Sequence, residues 1–191
     1  GSNLPKNLLD IDFTVKKNIE LLAEAKNKKI SDVNVCVMKR PRHDQIVKEL
    51  LELNVKINYI NDGDIAGALS VIGKKPINDI YYSTGGGPEG VLAAAALSCY
   101  GGQIQGRLVL NEEEKIRAKK LGIKDFNRKY TINDMVKGDV IFCATGVTTG
   151  DLAYGVKDLG NEYEVNTFAL HKSQKIIKKF TNIYNKWVHF L

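Results

Sequence analysis

The chain has 191 residues, 43 % of them hydrophobic and 26 % charged, with a net charge of +6 at pH 7. That length suits one domain over residues 1–191, or one large half of a bigger enzyme, burying roughly 70 % of its unfolded surface, with no apolar stretch near the roughly 18 residues a membrane helix needs. Its lysines interleave with acids along helices, and the basic runs at Lys16-Lys17 and at residues 175–179 lack an aromatic platform, so neither a nucleic acid nor a membrane is an expected partner.

Gly1-Ser2 reads as the scar of a cleaved tag, and no signal-peptide pattern follows it, which makes the cytoplasm the expected compartment. Residues 14–28 have helical spacing, with Thr14 as N-cap and Val15, Ile19, Leu22 and Ala23 on one face. A short strand is expected over 33–38, a helix over 42–53 with Ile46, Val47, Leu50 and Leu53 inward, and a second strand over 55–60. A helix over 64–72 and a strand over 79–83 follow. The turn Gly85-Gly86-Gly87-Pro88-Glu89-Gly90 then leads into an alanine-rich helix over 88–100, opened by Pro88 with Glu89 in its first turn. Alternation of strand and helix in this way predicts parallel βαβ units in a layered α/β fold.

The second half is less regular. Residues 103–110 read as a strand, and 111–121 as a helix with Asn111 as N-cap and Glu114 at the capping-box position. A buried strand over 140–144 runs into the loop Thr145-Gly146. Residues 162–170 and 174–180 read as a hairpin turning near Lys172-Ser173. Cys36, Cys99 and Cys143 are odd in number, lie in apolar runs and lack CxxC spacing, so they read as reduced core cysteines.

Three strand ends carry polar clusters: Lys39-Arg40-Pro41-Arg42-His43-Asp44, Asn61-Asp62-Gly63-Asp64, and the glycine turn with Glu89. In a parallel sheet these ends share one edge, where ligands bind. The glycine turn exposes backbone N–H groups at a helix N-terminus, which suits a phosphate. An acid beside a phosphate is costly unless a cation lies between them, so Glu89 points to metal-assisted phosphate chemistry. The planar forks of Arg40 and Arg42 match phosphate oxygens. Taken singly, each piece has a plainer reading: surface cations for the arginines, a packing role for His43, an N-cap for Asp64 and a favourable first-turn charge for Glu89.

Arg40-Pro41-Arg42-His43, Asp62-Gly63-Asp64-Ile65-Ala66, Gly85-Gly86-Gly87-Pro88-Glu89-Gly90-Val91, Gly106-Arg107-Leu108 and Ala144-Thr145-Gly146-Val147-Thr148-Thr149-Gly150-Asp151-Leu152 together resemble class II (GlpX-type) fructose-1,6-bisphosphatases. The likeness runs from about Leu4 to the C-terminus. It implies a sugar-phosphatase fold of α/β/α layers and hydrolysis of the 1-phosphate of fructose 1,6-bisphosphate to fructose 6-phosphate in gluconeogenesis. It implies substrate contacts at Arg40, Pro41 and Arg42, at Asp62, Gly63 and Asp64, and at Gly86. Glu89 becomes a ligand to Mg²⁺ or Mn²⁺, and the full-length enzyme a homo-oligomer.

Two departures from the family pattern stand in the glycine turn: Gly87 replaces the usual Thr or Ala, and Ser83-Thr84 replaces Gly-Ile. A larger one is that most metal-binding carboxylates, and the acidic-Gly-Thr/Ser block that positions the attacked phosphate, belong to the family's N-terminal half. No such block occurs here. The chain is therefore expected to be a C-terminal half, inactive or nearly so by itself. The alternative is a non-catalytic sugar-phosphate-binding domain.

Overall fold

The computed structural model describes residues 4–150 and 152–186, which leaves Gly1-Ser2 and Asp151 outside the described residues. Thr14 caps α1 (Val15–Ala25) by accepting the Lys17 N–H at 3.1 Å, and the helix buries Asn18, Ile19, Leu22 and Ala23. Strand β1 (Asn34–Met38) lies between β2 (Lys56–Ile60) and β3 (Ile80–Tyr82), both pairings parallel. Parallel neighbours need crossover helices. These are α2 (Asp44–Glu52), preceded by a 3₁₀ turn over Pro41–His43, and α3 (Asp64–Leu69). Helix α3 is shorter than expected and begins at Asp64, with Gly63 rather than Asp64 in the cap position.

The central strand feeds two cores, because successive side chains point to opposite faces. Val35 and Val37 join Val33, the inward face of α1 and Leu50 of α2. Each such buried valine stabilises the fold by about 2 kcal/mol. On the other face lie α3 and α4 (Gly87–Cys99). Gly67 lets α3 lie close on the sheet: a Cβ there would stand 2.7 Å from Ile60 Cδ1 and 2.8 Å from the Tyr81 ring.

Of the strand expected over 103–110, only β4 (Gln105–Gly106) forms, antiparallel to β5 (Tyr130–Thr131). The glutamines are used otherwise. Gln103 donates to the Leu4 carbonyl, while Gln105 donates to the Leu9 carbonyl and accepts the Ile11 N–H, tying the first segment down. Helix α5 (Glu112–Lys120) carries the Asn111–Glu114 capping box, and a second box, Thr131–Asp134, opens the short α6 (Ile132–Met135).

The alanine-rich α4 packs against a second sheet, so the α/β/α layering gains a fourth, antiparallel layer. Here β8 (Glu162–His171) pairs with β9 (Ile176–Asn185) on one side, and with β6 (Ile141–Thr145) and β7 (Lys157–Asp158) on the other. Phe142, Phe168 and Leu170 point inward against α3 and α4. Strand alternation turns Cys143 outward, so it is exposed rather than part of a core; Cys36 is buried and Cys99 half-buried. No helix among the described residues is long and apolar enough to cross a membrane.

The amino end of the parallel sheet is closed by a buried charge. Asp79, 4 % exposed, receives Lys26 Nζ at 2.6 Å, Lys28 Nζ at 2.7 Å and the Asn34 N–H at 2.8 Å. Burial alone would raise its carboxyl, but these donors outweigh it and hold it below the usual carboxylate range.

Candidate functional site

At the carboxyl end of the same sheet the three polar strand ends stand along one edge, as the parallel register requires. Arg40 is extended (φ −142°, ψ 144°), the conformation favoured before a proline, and Pro41 opens the 3₁₀ turn that turns the chain into α2. Arg42 is exposed and reaches across the edge, donating from Nε to the Thr84 carbonyl at 2.5 Å. Arg40 remains near its own strand end, with Nη1 donating to the Lys39 carbonyl at 3.2 Å.

The turn after β2 depends on Gly63, whose φ of +91° lies in the left-handed region that a side chain rarely adopts. Asp62 is exposed and accepts the Gly63 N–H at 2.8 Å. Asp64 turns away from its own helix end. Its Oδ1 accepts the Tyr81 hydroxyl at 2.7 Å and the Ser83 hydroxyl at 2.8 Å. Burial pushes the Tyr81 hydroxyl well above its ordinary pKa, and the Asp64 carboxylate raises it further.

The glycine turn lies between two carboxylates. A Cβ on Gly85 would come within 2.6 Å of Asp64 Oδ2, and one on Gly86 would run into Glu89 Oε2. Glu89 stands in the first turn of α4, which starts at Gly87, one residue ahead of Pro88, and it folds back over Gly86. Asp64, Ser83, Gly85, Gly86 and Glu89 line one cavity of about 280 Å³, which runs inward beneath the segment from Leu4 to Ile11. Neither the arginines nor Asp62 line that cavity. The edge thus splits into an inner acidic wall, Asp64 and Glu89, and an outer rim carrying Arg40, Arg42 and Asp62.

Sequence reasoning gave His43 only a packing role and gave Tyr81, Ser83 and Thr84 none. His43 is buried, with Nδ1 2.7 Å from the Met38 carbonyl and Nε2 accepting the Thr84 N–H at 2.8 Å. Only its place directly after Arg42 could have drawn notice. Ser83, one of the departures from the family pattern, supplies a hydroxyl to Asp64 that glycine could not. Two further motif blocks serve the scaffold. Arg107 pairs with Asp12 at 2.7 Å and, with Lys129, holds the Asp12 carboxyl down to about 2. Gly146 and Gly155 allow a tight loop in which side chains would strike the Tyr154 carbonyl and the Thr149 amide.

A hard divalent cation is held by several oxygen ligands. Among the described residues no group of three or more His, Cys, Asp or Glu side chains could hold a metal ion. Asp64 and Glu89 therefore do not build a metal centre by themselves.

A sequence profile of the bacterial, glpX-encoded fructose-1,6-bisphosphatase family matches residues 1–184. The class 2 fructose-1,6-bisphosphatase of Haemophilus influenzae is 34 % identical over 199 residues, covering 96 % of this chain and 59 % of the relative. Two Synechococcus proteins, named class 2 D-fructose 1,6-bisphosphatase/sedoheptulose 1,7-bisphosphatase, are 32 % and 31 % identical, covering 95 % of this chain and 56 % of each relative. The chain spans somewhat more than half the length of these curated relatives.

Proposed function

The chain belongs to the bacterial, glpX-encoded fructose-1,6-bisphosphatase family, and from that premise we propose that it is the substrate-holding portion of a metal-dependent phosphatase releasing the 1-phosphate of fructose 1,6-bisphosphate. The observation that carries this reading is the glycine turn set between the carboxylates of Asp64 and Glu89 while Arg42 grips its leading residue. Acid, cation and exposed amides at one sheet edge suit a phosphorylated sugar better than a plain anion.

In this reading Arg40 and Arg42 hold a phosphate or the sugar, and Pro41 shapes the strand end that carries them. Asp62, Gly63 and Asp64 meet the sugar hydroxyls, and the Gly86 backbone meets the phosphate. Glu89 offers one oxygen to a Mg²⁺ or Mn²⁺ whose other ligands come from outside this chain. Oligomerisation belongs to the full-length enzyme. The chain alone should release no phosphate from fructose 1,6-bisphosphate with either cation, whereas a protein joining it to the family's remaining length should do so. Robust turnover by the chain alone would refute this division of labour.

The lack of a three-ligand cluster among the described residues favours one second reading, a sugar-phosphate-binding domain without hydrolysis. Thermal stabilisation by fructose 1,6-bisphosphate without metal, combined with an inactive joined protein, would select it.

A further inference from the structure

We propose that His43 is a positioning residue for the glycine turn: with Arg42 it holds both backbone polar atoms of Thr84, and so sets where the amides of residues 85–87 stand. The inference deepens the phosphatase reading and rests on it only for the ligand.

A buried imidazole needs a partner for each nitrogen, and His43 is 1 % exposed. The Met38 carbonyl, 2.7 Å from Nδ1, can only accept, so Nδ1 carries a proton. The Thr84 N–H, 2.8 Å from Nε2, can only donate, so Nε2 is bare. These two partners select the neutral Nδ1–H tautomer. The ring then bridges the last residue of β1 to the first residues after β3.

Arg42 completes the grip by donating from Nε to the Thr84 carbonyl. Consecutive residues thus take the N–H and the C=O of Thr84, directly ahead of three glycines. Glycine has little conformational preference of its own and loses the most freedom on ordering. Gly86 and Gly87 are held from the far side by the start of α4, so fixing Thr84 pins the turn from its near side and leaves Gly85 little freedom. Using Nε on Thr84 also aligns the guanidinium, leaving its two terminal nitrogens for an anion.

The test uses nitrogen-15 NMR on the whole chain with two variants. His43→Gln places an acceptor oxygen near the Nε2 position, whereas His43→Asn reaches only as far as Nδ1. Thr84 amide exchange should be about tenfold faster in His43→Asn, as expected for one lost hydrogen bond, and return near the wild-type rate in His43→Gln. The fructose 1,6-bisphosphate concentration that half-saturates the shifts of amides 85–87 should rise about fivefold in His43→Asn and recover in His43→Gln.

Unchanged Thr84 exchange in His43→Asn, or no recovery in His43→Gln, would overturn the proposal. Should neither variant fold, the wild-type ring decides: a proton on Nε2 overturns the clamp and a bare Nε2 supports it. If the wild-type chain binds no sugar bisphosphate, the ligand assignment of the preceding section fails, while the exchange comparison still decides on His43.

Discussion

The two ends of the parallel sheet carry similar side chains put to opposite use. At the amino end a single carboxylate, Asp79, is buried and saturated by two lysines and a backbone amide. At the carboxyl end Arg40, Arg42, Asp62, Asp64 and Glu89 have no ion-pair partner among the described residues. Charges that satisfy one another hold strands together; charges left open at an edge are available to a ligand. The contrast separates charges used for stability from charges left open within one sheet, and it can be broken by mutation.

The largest effect is expected from Asp79→Ala. It leaves two lysines facing each other and the Asn34 N–H bare, and should cost about 3 kcal/mol by urea unfolding. A loss below about 1 kcal/mol would mean that the amino end is not where the sheet is locked. Asp79 also sets an acid limit. Its folded-state value is depressed, so its contribution is complete above the ordinary carboxylate value of 3.8 and is lost as pH falls below it. Stability of the wild type should therefore drop more steeply on acidification than that of Asp79→Asn.

Glu89→Gln, made in a protein of full family length, should lower kcat about 100-fold and raise the metal requirement, equivalent to about 2.7 kcal/mol. Its urea midpoint should stay near that of the unmutated protein. Normal rate and metal dependence would remove Glu89 from the site. Arg42→Ala should raise KM about tenfold with a smaller change in kcat, a loss of roughly 1.4 kcal/mol of binding shared by substrate and transition state. The smallest effect belongs to a helix cap: Thr14→Ala should cost about 1 kcal/mol of stability through loss of the α1 cap.

Local rules made much of the chain legible. Thr14, the Asn111–Glu114 box and the alternation of strand and helix each act within a few residues, and each appears where expected. What sequence could not convey was partnership across the fold. Residues 103–110 look like a strand, yet Gln103 and Gln105 spend their amides on the chain near Leu4 and Ile11, about 95 positions away. Cys143 sits in an apolar run, but pairing with β8 decides which face it shows. The shared edge was readable because parallel strands align their ends. That Asp64 would join Glu89 in a cavity while Asp62 faced solvent depended on the left-handed turn at Gly63, which a sequence suggests without fixing its direction.

The three glycines of the turn are not equivalent in the latitude they leave to evolution. At Gly85 and Gly86 a Cβ would meet a carboxylate, so a side chain there requires Asp64 or Glu89 to shift. A Cβ on Gly87 meets nothing within 4 Å, so the Thr or Ala that the resemblance leads one to expect at that place would fit without displacing a neighbour. This chain keeps a replaceable glycine, and Gly87→Ala is a substitution the architecture already permits.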